Sequence, residues 1–146
     1  MSGDWKTWLP PAHRAQATGL TDWREAVRRA AGVLVDEGAI DAAYVDAMIQ
    51  SVETYGPYIV LDEGFALPHA KAEGHVHRVA MSLLQVAPAV DLEGRPVDVF
   101  LVLAAPDATS HLEALAALGA LLGDDASRDV LRFGSPAEIE ALLAAE

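Results

Sequence analysis

Cysteine is absent from all 146 residues. That excludes a disulfide framework, a thiol nucleophile and a thiolate zinc site within the chain. No apolar run approaches the roughly 18 residues a membrane-spanning helix needs. Met1 to Ala12 also lacks the charged-then-apolar layout of a signal peptide. A cytoplasmic location is therefore expected. Basic residues are scarce: 10 Lys and Arg stand against 22 Asp and Glu, for a net charge of −12. Such a surface repels nucleic-acid phosphates, which argues against DNA or RNA as a partner. Any phosphate chemistry needs a local cationic spot set against that background. A Walker A loop, a G-x-G-x-x-G turn, a G-x-S-x-G elbow and an H-E-x-x-H helix are all missing. An ATP-using kinase, a dinucleotide enzyme and a serine hydrolase are poorly supported as a result.

What is present suits one folded domain. The chain is 52% apolar and long enough to bury a core without staples. Residues 1–20 read as an N-terminal arm ending near the Pro10-Pro11 pair, with the domain over 21–146. Trp5, Trp8 and Leu9 suit a poorly ordered arm or a segment packed on the domain better than one dipping into a membrane surface.

Helix and strand signals then alternate. Asp22 to Glu25 reads as a capping box, followed by Val27, Ala30, Ala31 and Leu34 at helical spacing. Asp41 opens a second helix, with Tyr44, Val45, Met48, Ile49 and Val52 on one face. Pro57 to Leu61 and Val79 to Val86 have strand length. Val97 to Ala104 is apolar nearly throughout, as in a strand covered on both faces. Ser110 to Glu113 predicts another capping box, opening a third helix with Leu112, Leu115, Leu118 and Leu122 as the buried stripe behind it. Ser135-Pro136-Ala137-Glu138 opens the last helix. Adjacent carboxylates at Asp62-Glu63 and Asp124-Asp125 read as solvated loop charges. The class is α/β: a single domain with a central sheet of about four to five strands flanked by helices.

Most of the unusual residues fall in two segments, Gly64 to Lys71 and Pro106 to Glu113. Pro68 stiffens the backbone before His69 and holds Leu67 extended, and Gly64 lets the chain turn ahead of it. An unperturbed imidazole titrates near pH 6.5, so His69 offers a neutral, nucleophilic nitrogen to a phosphoryl group. The plain alternative is a loop histidine bonded to backbone. Lys71, His75, His77 and Arg78 make the densest cationic stretch. Lys71 and Arg78 are weak candidates for electrostatic support. His111 stands where free amides at a helix start would gather an anion, with Thr109 or Ser110 beside it. Its plain alternative is a helix-end decoration. A metal-dependent hydrolase is the rival constellation: His75-x-His77 puts two rings on one side of a strand, and His69 would complete the ligand set.

Gly64-Phe65-Ala66-Leu67-Pro68-His69-Ala70 resembles the phosphorylation segment of the mannitol and fructose type of enzyme IIA from the sugar phosphotransferase system. His111-Leu112-Glu113-Ala114-Leu115 is similar to that family's second active-site histidine. The two motifs stand in the family's order, about forty residues apart, and the likeness runs from about Asp22 to the C-terminus. It implies a mixed sheet flanked by helices, with His69 and His111 as the catalytic residues. It implies a histidine phosphorylated by the phosphocarrier protein HPr and discharged to the cysteine of an enzyme IIB. It requires no cofactor and no metal. Phe65, Leu67 and Ala70 are expected to form the apolar patch on which these partners dock. One feature departs from the mannitol and fructose branch. No arginine occurs between Gln50 and Tyr58, so the family's phosphate-clamping arginine has no counterpart there. The Met48 to Tyr58 stretch and the Trp23-Arg24-Glu25-Ala26 helix start look like the ascorbate-specific branch instead. Two further readings share the motif: a regulatory enzyme IIA-like protein uncoupled from transport, and a degenerate domain that senses partners without phosphoryl transfer.

Overall fold

The computed structural model describes residues 3–62 and 64–146. The first two residues and Glu63, one half of the Asp62-Glu63 pair, lie outside the described residues.

The apolar run at 97–104 organises the domain. It forms most of β5 (Arg95–Ala104), and every residue from Val99 to Ala104 is buried. β4 (Ala80–Leu92) pairs with it antiparallel, from Ala80 opposite Ala104 to Leu92 opposite Arg95. The strand expected to end at Val86 continues to Leu92, because its far end pairs with the start of β5 across a shift in register. Glu93 and Gly94 close this hairpin, both at positive φ, the conformation a two-residue turn demands.

Three short strands complete the sheet. β1 (Arg14–Thr18) runs parallel to β4, β3 (Gly64–Ala66) runs parallel to β5, and β2 (Val60–Asp62) lies antiparallel to β3. The order is β1-β4-β5-β3-β2, a mixed five-stranded sheet.

Because strand side chains alternate, the sheet buries two separate faces. Leu84, Val86, Phe100 and Val102 pack against α2 (Trp23–Asp36) and α3 (Ala42–Tyr55). Met81, Leu83, Val99, Leu101 and Leu103 pack against four other helices. These are α1 (Trp5–Trp8), α4 (Ala108–Leu122), α5 (Asp125–Phe133) and α6 (Pro136–Ala144). The domain is thus a helix–sheet–helix sandwich with β4 and β5 at its centre.

Several local expectations are corrected. Residues 5–18, read as part of an arm, carry Trp5 and Leu9 into the second core and add β1 to the sheet. Asp124 is no loop charge: its carboxylate caps α5 by accepting from the Ser127 amide. At α2, Asp22 accepts from the Arg24 amide, a shorter cap than the box expected. At α6 the predicted box is complete, with Ser135 and Glu138 each taking the other's amide.

Candidate active site

The carboxyl end of β3 leads straight into Leu67, Pro68, His69 and Ala70, and each of these is fastened. The Leu67 amide donates to the Ile59 carbonyl at 2.8 Å, and the Leu103 amide donates to the Pro68 carbonyl at 3.0 Å. The Ala70 amide donates to the Tyr44 hydroxyl at 3.1 Å. That hydroxyl in turn presents its own proton to the carbonyls of Leu103 at 3.0 Å and Ala70 at 3.1 Å. Tyr44 belongs to the expected buried face of α3, and burial pushes its phenol up to about 12. It therefore stays a neutral donor and acceptor at any cellular pH. Upstream, Gly64 takes φ +77°, and a Cβ there would meet Asp98 Oδ1 at 2.6 Å. Only glycine fits beside the Asp98–Arg132 ion pair, which is bidentate at 3.0 and 2.9 Å.

On this frame His69 is half-buried, with Nδ1 at 2.7 Å from the Leu67 carbonyl oxygen. A carbonyl only accepts, so Nδ1 carries the proton and Nε2 of the neutral ring holds the free lone pair. Two rings flank the imidazole. Tyr58 meets it edge to face, with centroids 5.7 Å apart and planes at 83°. His111 lies with its centroid 5.9 Å away. Burial, and secondarily the proximity of His69, lower the tendency of His111 to charge.

The helix beneath His111 starts earlier than expected. Asp107 is its N-cap, accepting from the Ser110 amide at 2.8 Å, and the Ser110 hydroxyl donates back to the Asp107 carbonyl. A carboxylate thus already occupies the helix N-terminus and is itself held below the usual range by those amides. The expected anion site of free amides, with Ser110 as a phosphoryl donor, is not built this way. The His111 amide is likewise engaged, to the Asp107 carbonyl at 3.0 Å. What His111 offers is its ring.

The other expected groups lie apart. His75 and His77 both hydrogen-bond the Asp41 carboxylate, at 3.1 and 2.8 Å. Asp41 therefore anchors this loop and gives α3 no side-chain cap. His69, His75 and His77 do not converge as a metal triad. Among the described residues no group of three His, Asp or Glu side chains is placed to hold a metal ion. Arg78 is committed to Glu37 at 2.9 Å, and Lys71 is exposed. The docking patch is also different from the one expected: Phe65 and Leu67 are core, whereas Tyr58, Leu112 and Leu115 are the exposed apolar side chains next to the histidines. Leu112 and Leu115 are 64% and 39% exposed because α4 buries Ala114, Ala117, Leu118 and Leu121; of the expected stripe only Leu118, and in part Leu122, face the core.

The site is thus a pair of neighbouring histidines on a mixed-sheet sandwich, one on a braced loop and one on a helix. The model of the family "Phosphoenolpyruvate-dependent sugar phosphotransferase system, EIIA 2" matches residues 15–146, and the chain belongs to this family. It is 33% identical over 123 residues to the ascorbate-specific PTS system EIIA component of Salmonella choleraesuis, covering 82% of this chain and 79% of the relative. Its counterpart in Escherichia coli is 34% identical over 103 residues, covering 68% of this chain and 66% of the relative. Among solved structures, the cryptic mannitol-specific enzyme IIA of Escherichia coli superposes with a TM-score of 0.85 at 27% identity, covering 95% of this chain and 96% of its own. A PTS IIA domain from Streptococcus pyogenes gives 0.81 at 36% identity, covering 99% and 97%. No helix among the described residues is long and apolar enough to cross a membrane.

Proposed function

We propose that the chain is a cytoplasmic phosphohistidine carrier, taking a phosphoryl group from HPr onto His69 and passing it to a cognate enzyme IIB. The observation that carries this reading is the braced imidazole whose Nδ1 is fixed on the Leu67 carbonyl, leaving Nε2 free. In the forward step the Nε2 lone pair attacks phosphorus in line and a new N–P bond forms. The donor's N–P bond breaks and its imidazole leaves neutral. No proton has to move, because the proton stays on Nδ1, donated in a hydrogen bond to the Leu67 carbonyl, which also steadies the positive charge the ring acquires. In the return step a thiolate of the enzyme IIB attacks phosphorus and Nε2 recovers its lone pair.

His111 supplies a ring N–H to the phosphoryl oxygens. Its neutral state before loading keeps a like charge away from His69, and the dianion favours its protonation afterwards. Arg132, Arg78 and Arg24 are instead paired with Asp98, Glu37 and Glu53. Leu112 and Leu115, exposed on the helix that carries His111, give partners an apolar patch, in keeping with a small transient interface. The ascorbate-specific names of the relatives favour ascorbate or a related sugar as the destination. The test is phosphoryl transfer from charged HPr to the wild type and to His69→Ala, followed by discharge to enzyme IIB proteins of different sugar specificity. Discharge to an ascorbate-type enzyme IIB ahead of a mannitol-type one is expected; the reverse preference would overturn the sugar assignment.

A further inference from the structure

The hydrogen bond from Nδ1 to the Leu67 carbonyl grips the His69 ring at a single atom. Rotation of the ring about its Cβ–Cγ bond would break that one contact, and a second contact against the ring opposes the rotation. Tyr58 stands edge to face with the imidazole at 5.7 Å, inside the range where aromatic pairs favour that geometry.

The backbone under Tyr58 is as firmly set as the one under His69. Gly56 ends α3 at φ +88°, with its amide on the Val52 carbonyl. Pro57 follows and fixes its own φ. The Tyr58 amide donates to the Gly56 carbonyl at 2.9 Å, and the Val60 amide donates to the Pro57 carbonyl at 3.0 Å. The next carbonyl, that of Ile59, receives the Leu67 amide at 2.8 Å. The Tyr58 turn and the His69 segment are therefore tied two residues from the imidazole. Neither can shift without the other.

Tyr58 is not there to fill the core. It is 46% exposed and belongs to neither buried cluster. A large aromatic side chain left half in solvent, on a rigid turn and against a nucleophile's ring, is explained by what it does to that ring.

We propose that Tyr58 is a positioning residue for His69. Its ring, not its hydroxyl, holds the imidazole plane so that Nδ1 stays on the Leu67 carbonyl and Nε2 keeps one direction toward the incoming phosphorus. The proposal rests on the phosphocarrier reading for its kinetic consequence, and on the free protein for its structural one.

Two variants separate the ring from the hydroxyl. Tyr58→Phe keeps the edge-to-face contact, and Tyr58→Ala removes it without opening the core. Nitrogen NMR of the free proteins reads the His69 tautomer directly. The wild type and Tyr58→Phe are expected to show one tautomer with the proton on Nδ1, and Tyr58→Ala a mixture of the two. With charged HPr as donor, Tyr58→Ala should lower kcat about tenfold at unchanged KM, since a misaligned nucleophile loses rate and not affinity. Tyr58→Phe should match the wild type. A single Nδ1–H tautomer in Tyr58→Ala overturns the proposal. So does a Tyr58→Phe variant as slow as Tyr58→Ala, which would make the hydroxyl the working group. A loss confined to KM would make Tyr58 part of the docking surface and nothing more. If the wild type takes no phosphoryl group from charged HPr, the carrier reading fails, and the tautomer comparison still decides the role of Tyr58.

Discussion

The five histidines of this chain fall into two groups. His13, His75 and His77 each meet a carboxylate: His13 binds Glu37 at 2.8 Å, and the other two share Asp41. His69 and His111 meet each other, and among the described residues neither hydrogen-bonds a carboxylate. The carboxylates of the first group are held below their usual range by these hydrogen bonds. These contacts fasten the end of α2 to the segment before β1, through His13, and the start of α3 to the loop before β4, through His75 and His77. In the second group burial, and secondarily the neighbouring His69, lower the tendency of His111 to charge. The same side chain thus ties secondary structure to a carboxylate in one region and stands clear of carboxylates in the other, and the partner decides which.

The largest break in this comparison comes from the pair itself. His111→Ala should fold normally and slow phosphoryl transfer by roughly a hundredfold, the usual cost of losing one placed donor to a developing charge. Rapid-quench measurement of the transfer rate checks it. An unchanged rate would make His111 a passenger on α4.

Tyr44→Phe comes next. It strips the acceptor from the buried Ala70 amide and the donor from the Leu103 carbonyl. Leaving such groups unpaired costs about 1–3 kcal/mol. Urea unfolding should show that loss, together with slower transfer because the His69 segment loosens. Full stability would mean that the segment is held without the hydroxyl.

A subtler test follows the titration of His111 by NMR. In the unloaded protein its midpoint should lie below the ordinary imidazole value. His69→Ala removes the neighbouring imidazole and should raise it part of the way, with burial still opposing. Phosphorylation of His69 should raise it further, because a dianion now favours the imidazolium. A midpoint insensitive to both changes would show that the two rings do not interact.

The smallest effect belongs to the carboxylates. Glu37 and Asp41 have depressed values in the folded state, so their contribution is present above the unfolded carboxylate range, near pH 4. It is lost as pH falls through the folded values. Asp41→Asn should therefore lower the thermal midpoint slightly at neutral pH and leave phosphoryl transfer intact. An equal loss at pH 3 and pH 7 would argue against the ion pairs.

How far the sequence spoke for itself depended on what each segment buries. β5, α2 and α3 declare themselves because their apolar periodicity is strong, and α6 because its capping box is complete. β1 and β3 do not, since Arg14–Thr18 and Gly64–Ala66 are short and join the sheet through backbone pairing. α5 went unseen because its cap, Asp124, sits beside a second aspartate and looks like loop charge. α4 misled more seriously. Its leucines invite a buried stripe, yet small alanines let the helix sit close to the sheet and turn Leu112 and Leu115 outward. Of the residues expected to form the docking patch, Phe65 and Leu67 are core and Ala70 is half-buried. Both site histidines are visible in the linear sequence. Their proximity, the free nitrogen on His69, the Tyr58 ring beside it and the Tyr44 hydroxyl on the next residue's amide are tertiary facts that no local pattern carries.

The central claim is that His69 carries a phosphoryl group on Nε2. The direct measurement is incubation with enzyme I, HPr and labelled phosphoenolpyruvate beside His69→Ala, with phosphorus and nitrogen NMR on the product. The account predicts acid-labile label on the wild type alone, bonded to Nε2 of His69. It is contradicted by label retained in His69→Ala, by phosphorus on Nδ1, or by no label on a folded wild type while HPr is charged.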